Sequence, residues 1–78
     1  MKDLIEYIAR SLVNDPMEVR VDQKENGSKV FIHLRVAQDD MGRVIGKGGR
    51  VANAMRDLLR VAAAREGKRA SLDILDQE

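Results

Sequence analysis

Seventy-eight residues without cysteine, 35% charged and carrying a formal net charge of +1, exclude a disulfide scaffold and thiolate metal sites and leave a chain with a small core. No run approaches the roughly 20 apolar residues of a membrane span, and no basic stretch leading into an apolar one opens the chain, so one soluble, cytoplasmic domain over residues 1–78 is expected. The charge is uneven: residues 1–40 hold six Lys or Arg against eight acids, 41–70 eight against two, and 71–78 three acids alone, which concentrates a positive field in one segment.

From Asp3 to Val13 the apolar residues Leu4, Ile5, Ile8, Leu12 and Val13 recur at helical spacing, with Asp3 and Glu6 placed as an N-cap and its box partner and Tyr7 expected to pack. Asn14-Asp15-Pro16 stops this helix. Val19 and Val21 then alternate with charged residues, and beyond the polar loop Glu25-Asn26-Gly27-Ser28 a second alternation puts Val30, Ile32, Leu34 and Val36 on one face and Phe31 on the other. For Phe31, partner contact and plain half-burial both remain open. Asp39 or Asp40 can cap a short helix through Met41, Arg43, Val44 and Ile45, which glycines 46, 48 and 49 must interrupt. A longer helix over Arg50–Arg65 ends at Glu66-Gly67, a short strand covers Ser71–Leu75, and Asp76–Glu78 reads as a frayed tail. The order helix, strand, strand, helix, helix, strand implies an α+β two-layer fold, a three-stranded sheet with helices on one face; the other face is left to solvent or a partner.

Three glycines in four positions between two helices cost stability, and are tolerated where the backbone needs positive φ or where another backbone must come close. Gly46-Lys47-Gly48-Gly49 leads into the first turn of the Arg50 helix, whose unpaired amides and dipole favour an anion. Arg43, Lys47 and Arg50 add charge of the kind that binds a sugar-phosphate backbone without reading sequence.

Ile45-Gly46-Lys47-Gly48-Gly49, set between two helices after an alternating strand, resembles the I-G-x-x-G signature of KH domains, RNA-binding modules. The element order is similar to the type II arrangement, and the length and the lead-in Asp40-Met41-Gly42-Arg43-Val44-Ile45-Gly46 are closer still to the small stand-alone bacterial KhpA family. The resemblance implies a non-catalytic protein without cofactor or metal, in which Gly46–Gly49 clamp single-stranded RNA and bases enter a groove lined by Val44, Ile45 and Val51 on one side and Ile32 and Leu34 of strand residues 30–36 on the other. Lys24–Lys29 would be the family's variable loop, closing the far wall. It also implies a homodimer, pairing with a larger KH-containing partner such as KhpB, and a role as RNA chaperone or post-transcriptional regulator. Single-stranded DNA stays open as a ligand, and a protein-interaction adaptor is the alternative function. With only Tyr7 and Phe31 as aromatics, bases would rest on aliphatic side chains.

Other glycine and acid motifs fit poorly. A P-loop needs Ser or Thr where Gly48 stands, and a dinucleotide fingerprint follows a strand, not a helix. His33, mid-strand and without cysteine or a placed serine, reads as a surface or edge histidine, and the adjacent Asp39 and Asp40 as capping residues more than metal ligands. On the long helix, apolar positions cover an arc of about 200°. Packing through Val51, Met55, Leu58 and Ala62 would leave Leu59, Ala63 and Ala52 as a flank for dimerisation.

Overall fold

The computed structural model describes residues 1–77. Helix α1 (Lys2–Leu12) lays Ile5 and Ala9 fully into the core, with Ile8 packed beside them. The expected capping box does not form: Met1 occupies the capping position without a side-chain bond, and Asp3 lies inside the first turn, where its charge faces the positive end of the helix. Tyr7, expected to pack, is 74% exposed. At about 100° per residue it stands some 200° from Ile5, on the opposite side of the helix.

Strands β1 (Arg20–Asn26) and β2 (Lys29–Ala37) form an antiparallel hairpin whose last pair is Asn26 with Lys29. The expected loop from Lys24 to Lys29 is thus only a turn at Gly27-Ser28. Val30, Ile32, Leu34 and Val36 are buried on the inner face of β2, and Lys29, Phe31, His33 and Arg35 point outward. Strand β3 (Arg69–Gln77) runs parallel to β2 from the pair Lys29–Arg69 to Ala37–Gln77. This pairing extends the strand past Leu75 into residues read as tail; Glu78 lies outside the described residues. The sheet order β1-β2-β3 makes β2 the central strand.

Two helices join β2 to β3, and with α1 they cover the inner face of the sheet. Helix α2 (Met41–Ile45) buries Val44, and α3 (Arg50–Arg65) buries Ala52, Met55, Leu59 and Ala63. The α3 helix stops in a Schellman turn, in which Gly67 N–H donates to Ala64 O (3.0 Å) and Lys68 N–H to Ala63 O (2.9 Å). The flank assigned to dimerisation is therefore core: Leu59, Ala63 and Ala52 are at most 3% exposed, while Leu58 and Val61 are 48% and 57% exposed. Alanines extend the apolar arc on both sides, so its width did not reveal which half meets the sheet.

Among the described residues the buried charge is Asp40, 1% exposed. It precedes α2 but makes no side-chain cap. Its two carboxylate oxygens instead accept from the amides of Asn14 (3.0 Å) and Asp15 (3.1 Å), which fastens the exit of α1 to the entrance of α2. Arg43 Nη1 lies 3.2 Å from the same carboxylate. The amide of Asn14 holds the Asp40 carboxyl below its ordinary pKa against the opposing effect of burial, with Asp15 and Arg43 adding in the same direction.

Two outcomes are expected. Leu59→Ala destabilises by about 2–4 kcal/mol in urea titrations, whereas Leu58→Ala changes stability by less than about 1 kcal/mol. Because the folded-state pKa of Asp40 is depressed, its contribution is fully present above the ordinary carboxylate range near pH ~4 and is lost as pH falls through the folded value. Asp40→Asn lowers Tm at neutral pH by more than about 4 °C and flattens the acid limb of a Tm-against-pH curve.

Candidate functional site

Helix α2 has five residues and cannot hold its own geometry, so its end is set by what it packs against. At Gly46 the backbone takes φ 77°, ψ 172°, a region open essentially to glycine alone. A side chain is also excluded by space, since a Cβ on Gly46 would meet Val51 Cγ2 at 2.6 Å and the Val51 amide nitrogen at 2.9 Å. This contact seats the end of α2 on the first turn of α3.

Gly48 and Gly49 also have positive φ, 64° and 79°, but for a different local reason. A Cβ at Gly48 would meet nothing within 4 Å, and one at Gly49 only Asn53 Nδ2 at 3.8 Å. The loop thus has one glycine pressed against Val51 and two with room at the missing Cβ, Gly48 exposed and Gly49 half-buried. Gly46 N–H donates to Gly42 O (2.9 Å) and Gly49 N–H to Gly46 O (3.1 Å), while Arg50 N–H closes on Lys47 O. The amides of Lys47 and Gly48 are not used in these bonds. They sit at the tip, beside the positive end of the 16-residue α3.

Lys47 and Arg50 are exposed and hold no ion pair among the described residues. Arg43, grouped with them from sequence, is anchored: Nη1 reaches Asp40 Oδ1 and donates to Asp39 O (3.3 Å). Its charge is carried at a fixed place beside the loop, partly neutralised by the buried carboxylate.

The expected base groove needs correction. Val44, Ile32 and Leu34 are each 0% exposed and line no open surface. As the central strand, β2 is paired on both sides, and its inner side chains lie under the helices. Ile45 and Val51 remain half-buried at the surface, and the strand with a free edge toward α2 and α3 is β3, where Ile74 packs against the same cluster. The Gly27-Ser28 turn does not close this site. Ser28 O accepts from Arg69 N–H (2.8 Å), at the end of α3 remote from the glycines. Sequence reasoning missed Arg56, whose Nε donates to the Leu72 carbonyl of β3 (3.3 Å). Its place three residues after Asn53 gave no signal of a reach across to a strand. His33 faces outward beside Asp73, Nε2 to Oδ2 3.4 Å, away from the glycine loop.

A model of the KhpA/KhpB KH domain matches residues 2–74. The chain is similar to the RNA-binding protein KhpA of Halalkalibacterium halodurans, 47% identical over 97% of this chain and all of that one, and to that of Clostridium acetobutylicum, 45% identical over 96% and 100%. The RNA-binding protein KhpA of Borreliella burgdorferi is 43% identical over 95% of this chain and 90% of its own. Among solved structures, Era in complex with MgGDPNP and nucleotides 1506–1542 of 16S ribosomal RNA superposes with a TM-score of 0.57 at 18% identity, over 96% of this chain and 29% of that one. That likeness is one of fold.

The two classes of loop glycine separate by substitution. Gly46→Ala is expected to cost about 2–4 kcal/mol, from strained backbone and the collision with Val51. Gly48→Ala is expected to cost only about 1–2 kcal/mol, for the left-handed conformation alone. Denaturant unfolding of both variants measures the difference.

Proposed function

The chain belongs to the KhpA/KhpB family of KH domains, and we propose that it is a single non-catalytic KH module binding single-stranded RNA with little sequence preference. The observation that carries this reading is the glycine loop: bare backbone at Gly48 and Gly49, two amides at its tip, and the unpaired Lys47 and Arg50 beside the start of α3. Sugar and phosphate approach where a Cβ would stand, charge-assisted bonds hold the anion, and most of the affinity is independent of base identity. Gly46 keeps the loop aimed by packing on Val51, and Arg43 adds field from its seat on Asp40. Bases rest on Ile45 and Val51 and meet the free edge of β3, consistent with a chain that has two aromatic residues. The names of the relatives, RNA-binding protein KhpA, support the ligand class.

The output of such binding is chaperone-like or regulatory, in the cytoplasm, and needs no cofactor. Nothing in the loop selects for the 2′-hydroxyl, so single-stranded DNA belongs among the ligands to be compared. A homodimer, or a pair with a larger KH-containing chain such as KhpB, is supported by the exposed strip Ala54, Leu58 and Val61 on α3. Two copies would double the phosphate contacts on a longer strand. The same strip favours the second reading, an adaptor that docks another protein through α3.

Fluorescence anisotropy with a labelled unstructured RNA at two salt concentrations tests the loop. Lys47→Asp/Gly48→Asp is expected to weaken binding at least tenfold while circular dichroism is retained, and each phosphate left without its cation makes log K against log salt shallower by about 0.7. Equal affinity of the two proteins would move the weight to the adaptor. Leu58→Glu is expected to convert a dimer to a monomer in sedimentation at tens of micromolar; a monomeric wild type would count against the homodimer.

A further inference from the structure

The outward face of the sheet carries a second arrangement that the glycine loop does not use. Phe31 stands on it, 39% exposed, with Lys24 as its partner on β1 and Ser71 as its partner on β3. The adjacent outward pair is Lys29 with Arg69. Lys24, Lys29 and Arg69 form no side-chain ion pair among the described residues. Because serine is small, the space beside the ring stays open, a hollow of about 230 Å³ lined by Lys29, Phe31, Arg69 and Ser71 together with Val30 and Ala70. The acids of this face, Asp22 and Asp73, sit in the next outward row around His33, so that the charged residues at this end, Lys24, Lys29 and Arg69, are all cationic.

We propose that this end of the outer face is a second contact for single-stranded nucleic acid, in which a base stacks on Phe31 and its flanking phosphates lie against Lys24, Lys29 and Arg69. One exposed ring surrounded by free cations matches the chemistry of a nucleotide, a flat π face with anions on both sides. It does not match a protein interface, which needs about 800 Å² per partner around an apolar centre. The other large apolar residue on this face, Leu75, is separated from Phe31 by the polar row Asp22, His33 and Asp73. The site lies on the face opposite the helices, and α3 runs between its end of the sheet and the glycine loop. Its occupant is a different stretch of strand from the one held there, so one copy of the protein bridges two segments. The proposal rests on the RNA-binding reading above and adds a site to it.

The chain contains no tryptophan and one tyrosine, so Phe31→Trp supplies a single reporter. The protein carrying it is titrated with an unlabelled oligouridylate of about ten nucleotides, with the loop intact and with Lys47→Asp/Gly48→Asp. Quenching of the introduced indole is expected in both backgrounds, with Lys29→Glu/Arg69→Glu weakening it at least tenfold and leaving the circular dichroism unchanged. If the indole emission stays unmoved at RNA concentrations where anisotropy shows the loop saturated, the sheet site is overturned and the loop reading stands. Quenching that disappears with the loop variant makes Phe31 a bystander and also overturns it. Emission that changes with protein concentration in the absence of RNA assigns the face to a second copy and does the same. Absence of RNA binding by both methods removes the loop reading together with this one.

Discussion

The rest of the site depends on how close Gly46 comes to Val51. Helix α2 has too few residues to persist alone, and its direction is fixed at three points: the buried Val44, the Asp40 carboxylate at its start, and the bare Cα of Gly46 against the first turn of α3. A methyl group at position 46 would collide with Val51 and push the two helices apart, and the loop between them would lose the geometry this contact sets. The strain is confined to residues without a side chain. No residue other than glycine has positive φ among the described ones, so the loop is held without distorting its neighbours.

Charge is organised with equal economy. The basic segment 41–70, which reads in sequence as one positive patch, divides in space. Lys47 and Arg50 lie at one end of α3, Lys68 and Arg69 at the other, and the sixteen-residue helix spans about 24 Å. Not all of that charge is available. Among the described residues Arg43 is engaged by Asp40, Arg60 by Asp57 and Lys68 by Glu25, which leaves Lys47 and Arg50 without an ion pair at the loop, Arg56 and Arg65 on α3, and Arg69 at the sheet. Glu25 is drawn below and Lys68 above its ordinary pKa, chiefly by the hydrogen bond between them. That pair is exposed, and its value is local: it ties the hairpin to the turn leading into β3.

The order of elements and the position of the loop were legible because both rest on strong local signals: period-two alternation at 30–36, helical spacing at 50–65, and three glycines in four positions. What was not legible depends on neighbours. The inner residues Ile32 and Leu34 resemble groove walls until the parallel partner β3 makes β2 central. The broad apolar arc of α3 has no preferred half until the sheet selects Met55 and Leu59 over Leu58 and Val61. Asp40 reads as a cap, since a carboxylate before a helix usually is one; its actual partners at residues 14 and 15 are remote in sequence. Arg56 gave no warning for the same reason, as its acceptor is a strand carbonyl.

The parallel pairing of β2 with β3 has a consequence in time as well as in space. The β1–β2 hairpin closes through two residues and forms by local contacts, but β3 can join only after residues 38–68 have returned the chain to the start of β2. Closing that long excursion is the costly entropic event of the fold. The glycine loop lies inside it, so the least permissive backbone in the molecule belongs to the stretch on which completion of the sheet waits. A destabilised loop would therefore leave β2 with an unpaired, largely apolar edge, a surface to which other chains can add.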